Sequence, residues 1–206
     1  MDWNKLADNQ AIENTANALK NNGIDVVVVE NGQDAKQKVL ELLPKGAEVF
    51  NTTSITLDTL NLTKEIMESD NYDAVKSKLL SMDRKTQGLE MQKLGAAPEW
   101  VIGSVHAVTE KGQVLIASNS GSQLSPYAYA ASHVVWVVGA QKLVKDLDSG
   151  IKRIYEYSLP LESARARKAY GLREDWQSFV SKILIVNKEV KPGRITMLIV
   201  KEKLGF

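Results

Sequence analysis

VIGSVHAVTEKGQVLIASNSGSQLSPYAYAASHVVWVV, residues 101–138, is the stretch whose reading decides the fold. It opens with an apolar run at 101–105 and closes with a β-branched one at 133–138. Runs this short and apolar are the mark of strands buried on both faces of a sheet. Between them lie a glycine turn at Glu110-Lys111-Gly112, a short strand and the polar loop Ser118-Asn119-Ser120-Gly121-Ser122-Gln123. The loop opens into a helical segment. A helix between two buried strands returns the chain so that the strands lie parallel. A Ser/Gly-rich loop at a helix start also presents free backbone N–H groups at the positive end of a dipole, which predicts an anion site.

The same alternation extends outward in both directions. Ile12, Thr15, Ala16 and Leu19 have helical spacing, ended by the C-cap signal Asn22-Gly23. Residues 24–29 read as a buried strand, 34–43 as a helix stopped by Pro44-Lys45-Gly46, and 47–51 as the next strand. The loop Thr52-Thr53-Ser54 leads into a predicted helix over 56–69. Residues 70–94 are lysine-rich and amphipathic, with a break near Ser81-Met82-Asp83. Beyond residue 138 the pattern predicts helices over 146–154, 160–170 and 176–180, then strands over 183–186 and 195–201. The turn Lys191-Pro192-Gly193-Arg194 separates these last strands, which predicts a C-terminal β-hairpin. Arg194 in that turn reads as a surface or interface contact. The fold class is α/β: a three-layer α/β/α arrangement with a mainly parallel sheet.

Composition narrows the function. At 206 residues the chain suits one domain, 1–206, with a helix in 1–23 packed on it. Lys and Arg total 26 against 25 Asp and Glu, a net charge of +1 that argues against nucleic acid or an anionic membrane surface as partner. Without any cysteine the chain forms no disulfide and supplies no thiolate to zinc or an iron–sulfur cluster. His106 and His133 lack ligand-spaced partners, so no metal and no cofactor are expected. Apolar runs are too short for membrane insertion and no signal-peptide core is seen, so a cytoplasmic protein is expected. Phosphate-loop, dinucleotide-binding, zinc-protease and serine-hydrolase signatures are all missing.

Topology then gathers the polar loops. In a parallel sheet every strand-to-helix loop lies at the carboxyl ends of the strands, where α/β proteins bind ligands. The loop after 47–51 brings Ser54 and Thr56 there, as ligand contacts or as helix caps. The central loop brings Ser120, Gly121, Ser122 and Gln123, and the loop after 133–138 brings Lys142. Residues 107–117 become a small hairpin above that edge, with Glu110 as candidate acid or base and His106 as a second candidate catalytic group. Such a site suits a small carboxylate or a phosphorylated ligand.

Several segments have a familiar form. Ser54-Ile55-Thr56-Leu57, Val105-His106-Ala107-Val108-Thr109-Glu110-Lys111-Gly112, Ser120-Gly121-Ser122-Gln123-Leu124 and Val137-Val138-Gly139-Ala140-Gln141-Lys142-Leu143-Val144 resemble the lactate-utilisation (LUD) domain family. Pro160-Leu161-Glu162 with Arg165 does too, as does the closing Pro192-Gly193-Arg194-Ile195-Thr196 to Leu204-Gly205-Phe206. The match runs in order from about residue 24 to the end. It is similar to members that carry this domain alone, the lactate utilization protein C type. The resemblance implies a fold like ribose-phosphate isomerases and coenzyme A transferases. It also implies a bacterial role in oxidising L-lactate to pyruvate with iron–sulfur partner proteins, and no catalytic residue is carried over from it. Two alternatives stay open: an autonomous transferase-like or sugar-phosphate isomerase-like enzyme, and a non-catalytic interaction module.

Overall fold

A computed structural model describes residues 2–206. In chain order the elements are α1 (Asn9–Asn21), β1 (Asp25–Val29), α2 (Gly32–Leu42), β2 (Glu48–Asn51), α3 (Ile55–Thr59), α4 (Leu62–Glu68) and β3 (Asp73–Ala74). There follow α5 (Val75–Ser81), α6 (Gly88–Ala96), β4 (Trp100–Gly103), β5 (Ala107–Thr109), β6 (Val114–Ser118) and a π-helical turn (Pro126–Ala130). Next come β7 (His133–Gly139), a 3-10 turn (Ala140–Lys142), β8 (Leu143–Val144), α7 (Leu147–Arg153), a second π turn (Ile154–Ser158), α8 (Leu159–Tyr170), β9 (Lys182–Val186) and β10 (Ile195–Val200).

Six strands form the main sheet in the order β1-β10-β7-β4-β2-β3, and every pairing is parallel. The central strand shows why. Val134, Trp136 and Val138 of β7 enter one apolar cluster with Ile12, Ala16 and Leu19 of α1, while Val135 and Val137 enter another with Ala35, Val39, Leu57 and Ile66. With both faces of β7 covered, an unbroken apolar run is what this position requires. The sheet is thus covered on both faces, as the alternation of elements predicts.

A second sheet of four strands, β8-β5-β6-β9, stands beyond the carboxyl end of β4. The β5–β6 hairpin is the small excursion expected for 107–117. Its Val108, Val114 and Ile116 help close the first core cluster.

Five expectations are corrected. The last two strands form no hairpin: β9 pairs antiparallel with β6 in the second sheet, and β10 inserts between β1 and β7. Residues 176–180 have no regular secondary structure rather than a helix. The predicted helix over 56–69 is two helices, with Asn61 between them in the left-handed region at φ 54°. Residues 73–74 pair with β2 as an edge strand the periodicity does not reveal. Arg194 is buried, paired with Glu189 at 2.6 Å, and donates to the carbonyls of Pro126, Tyr127 and Ala131. It fastens the π turn to the start of β10 and is no surface contact.

Candidate functional site

The carboxyl edge of the main sheet is used unevenly. On the β1–β10 side it is sealed, because Glu202 accepts a hydrogen bond from Gly32 N–H at 2.8 Å and so caps α2. On the β2–β4–β7 side a cavity of about 380 Å³ opens. Asn51 ends β2, Ser104 follows β4, and Lys142 closes the 3-10 turn after β7; all three line it. The second sheet adds His106 and Ala117, and the helical run 147–170 adds Ser158, Glu162 and Arg165. The irregular segment 176–180 supplies Trp176, Ser178, Phe179 and Val180 as further wall.

Of the residues singled out from sequence, the cavity brings together Ser54, Thr56, His106, Ser120, Ser122, Gln123 and Lys142. Gly121 stands beside it at φ 91°, where a Cβ would meet the Lys182 side chain at 2.9 Å. Glu110 is not brought to it. That residue is exposed, its N–H bonds Val144 O at 2.9 Å, and its turn rests on α1, where Asn22 donates to Lys111 O at 2.9 Å.

The Ser/Gly loop also differs from its expected chemistry. Gly121 N–H is taken by Ser118 Oγ (2.8 Å), Ser122 N–H by Ser120 Oγ (3.3 Å) and Leu124 N–H by Gly121 O (3.0 Å). The helical segment it opens is a turn of α followed by the π turn, so little dipole stands behind it. Its serine hydroxyls, not a row of free amides, are what it offers. Ser54 differs in the opposite sense: it precedes α3 without a side-chain cap bond, which leaves its hydroxyl uncommitted to the helix.

Lys142 is the centre of the arrangement. Its ammonium is buried, with Nζ 3.1 Å from Thr56 Oγ1 and 3.0 Å from Ser104 Oγ. Thr56 passes its own proton to Leu204 O at 3.1 Å, and Gly205, at φ 61°, lets the closing chain approach this close, since a Cβ there would lie 2.5 Å from Thr56 Oγ1. Beneath the cavity wall lies Arg153, fully buried, donating through Nη1 to His106 O and to Ser158 Oγ (3.2 Å). Among the described residues its Nε and Nη2 have no hydrogen-bond partner, though the guanidinium lies 5.1 Å from the Tyr157 ring centroid, and neither Asn51 amide atom has a partner. Among the described residues no carboxylate comes within ion-pairing distance of Lys142 or Arg153.

Electrostatics follow from that imbalance. Burial, reinforced by Arg153, holds the Lys142 pKa well below its ordinary value. Burial together with Lys142 and Arg153 pulls His106 down to about 3, so its ring is neutral. Its Nδ1 accepts from Ala117 N–H at 3.1 Å, which puts the ring proton on Nε2. Desolvation lowers even Arg153, to about 10. Among the described residues, the Asp or Glu side chain in the wall is Glu162, bound by Arg165 Nε and Nη2 at 2.7 Å each.

Asn51, Ser104 and Arg153 are the groups sequence reasoning missed as site residues. Asn51 is a polar residue ending an apolar strand, a signal that was there to use. Arg153 gave none. The apolar stripe of Leu147, Ile151 and Ile154 packs on a core cluster as its spacing predicts, and Arg153 is buried beside that stripe, where its charge gives no sign of burial. The π turn after Arg153 adds a residue to the helical repeat and turns polar side chains toward the cavity.

These features define a class: an α/β protein with a six-stranded parallel sheet and a carboxyl-edge cavity beside which the buried basic groups Lys142 and Arg153 have no carboxylate among the described residues. The chain belongs to the LUD-domain family, whose model matches residues 12–200. Among solved structures, a DUF162 family protein from Deinococcus radiodurans shares the fold, with a TM-score of 0.58 at 8% identity over 95% of this chain and 99% of that one. A ribose 5-phosphate isomerase from Plasmodium falciparum is more distant, at TM-score 0.33 and 11% identity over 79% of this chain and 80% of that one. The eIF2B beta of Chaetomium thermophilum gives 0.30 and 12% over 68% of this chain and 44% of that one. No curated protein matches the chain. Among the described residues no helix is long and apolar enough to cross a membrane.

Proposed function

We propose that this LUD-domain protein is a bacterial cytoplasmic component of L-lactate utilisation that binds a small carboxylate, lactate or pyruvate, at the carboxyl edge of its sheet. One observation carries the reading: Lys142 and Arg153 are buried without a carboxylate beside a cavity that Asn51 also lines, both of its amide atoms buried and unpartnered among the described residues. Burying the Arg153 guanidinium and the Asn51 amide with atoms unpaired costs free energy, and a bound anion, to which Lys142 Nζ can donate whether charged or neutral, offsets that cost. The cavity, about 380 Å³, has room for a small acid, with Ser54, Ser104 and Ser120 as further donors. Since the chain has no cysteine, the electron-accepting cluster of such a system belongs to iron–sulfur partner proteins.

The test is thermal unfolding with L-lactate, pyruvate and inorganic phosphate, joined to co-purification with iron–sulfur proteins. A ligand at 100 times its Kd stabilises the fold by about 2.7 kcal/mol, a shift of several degrees for a chain of this size. Absence of any shift, with no iron–sulfur partner recovered, sinks the reading. The autonomous-enzyme alternative with Glu110 as base lacks support from geometry, because Glu110 stands outside the cavity.

A further inference from the structure

Lys142 is placed as a reactive amine, which its role as an anion contact does not require. A lysine that only completes a fold usually snorkels to solvent or meets a carboxylate. Here Nζ is fully enclosed in the cavity wall, its partners are two hydroxyls, and a fixed guanidinium lies behind it. A hydroxyl satisfies an amine as well as an ammonium, so neither Thr56 nor Ser104 demands a charge on Nζ. Desolvation and the neighbouring Arg153 both oppose that charge. A deprotonated amine that donates to both hydroxyls keeps its lone pair in the tetrahedral position that has no protein partner. Desolvation beside a second cation is a general way of making a lysine nucleophilic.

We propose that Lys142 condenses through Nζ with a small 2-oxo carboxylate held in the cavity, forming an imine. The inference rests on the anion-site reading above. The Nζ lone pair attacks the carbonyl carbon and a C–N bond forms. The C–O bond then breaks, and the oxygen leaves as water with the two amine hydrogens. Nothing is oxidised or reduced. The carboxylate in the ligand is what makes the adduct tolerable here. Protonating the imine would set a second cation beside Arg153, and a carboxylate one bond away compensates it within the adduct. Asn51 and Ser54 remain to hydrogen-bond that carboxylate, and His106, neutral with its proton on Nε2, adds no charge against it.

The experiment treats the full-length protein with pyruvate, then borohydride, which reduces the imine to a stable secondary amine, followed by peptide mapping by mass spectrometry. Surface lysines hold roughly one part in a thousand or less of free amine near neutral pH, so Lys142 should carry the adduct at about tenfold or more the occupancy of any other lysine. L-lactate, which has no carbonyl, should give no adduct and should protect Lys142 when in excess. An adduct absent from Lys142, or spread evenly over the lysines, overturns the proposal. Thermal unfolding in parallel separates the two claims: stabilisation by pyruvate without an adduct removes the imine and leaves the anion site, while loss of both removes the anion site as well. Because the map is read on the unmutated protein, folding of a variant does not enter.

Discussion

At the residue scale the molecule spends stability on its site. Burial opposes the charged forms of both Lys142 and His106, and each makes a measurable claim. His106 has a pKa near 3 in the fold against 6.5 for the free side chain. Between those values the unfolded chain binds a proton that the folded chain refuses. The His106 contribution is therefore whole above pH 6.5 and is lost as pH falls toward 3, with a slope of up to about 1.4 kcal/mol per pH unit. Denaturant unfolding at pH 7 and pH 5 checks it. His106→Asn, which keeps an acceptor for Ala117 N–H, should lose less stability over that interval than the parent; equal losses refute the assignment. Lys142→Met removes a buried amine while Thr56 and Ser104 stay 3.3 Å apart and satisfied by each other and by Leu204 O. We expect it to be as stable as the parent or more so, by about 1–2 kcal/mol, while losing all stabilisation by lactate and pyruvate. A destabilised variant that still responds to both ligands would show that Lys142 serves the fold alone.

At the element scale, the unusual pieces gather at the cavity. Both π turns contribute wall residues, Tyr127 from the first and Ile154 and Ser158 from the second. The approach of Tyr127 to β4 requires Gly103, where a Cβ would lie 1.7 Å from the tyrosine hydroxyl. A π turn is a one-residue excess in a helix, and removing that residue restores the ordinary repeat and rotates everything before it against everything after. Deleting Tyr155, half exposed, should leave the helical content by circular dichroism intact and abolish ligand stabilisation. Retained ligand response would mean that the π turn has no part in setting the wall. This explains why the site was only half legible in sequence. Loops that follow strands announce themselves, so spacing leads to Ser54, Thr56, Lys142 and the Ser120 loop, which line the cavity. Arg153 is not legible, because the apolar stripe beside it packs on the core as spacing predicts while a fully buried arginine leaves no mark in that spacing. Glu110 was placed at the wrong end of its hairpin: the turn leans back on α1 while the strand roots, at His106 and Ala117, face the cavity.

At the scale of the whole molecule, the parallel sheet was readable because each of its central strands is buried on both faces and must be apolar throughout. The assignment of β9 and β10 to different sheets was not. Their closeness in sequence favours a hairpin, and the partners that win, β6 for β9 and β1 with β7 for β10, lie far away along the chain. The salt-bridged Arg194 is the device that enforces this, since its three carbonyl contacts tie the start of β10 to the segment before β7. The outcome is a sheet with one half of its carboxyl edge sealed by Glu202 and the other half open over buried positive charge. Whether that charge receives a small acid is the claim on which the functional account depends. A crystal structure of the protein soaked with L-lactate tests it most directly. The account predicts the carboxylate in the cavity, within hydrogen-bond distance of the Asn51 amide, Ser104 Oγ and Lys142 Nζ. A cavity holding only water at saturating lactate, or lactate bound elsewhere on the surface, would contradict it.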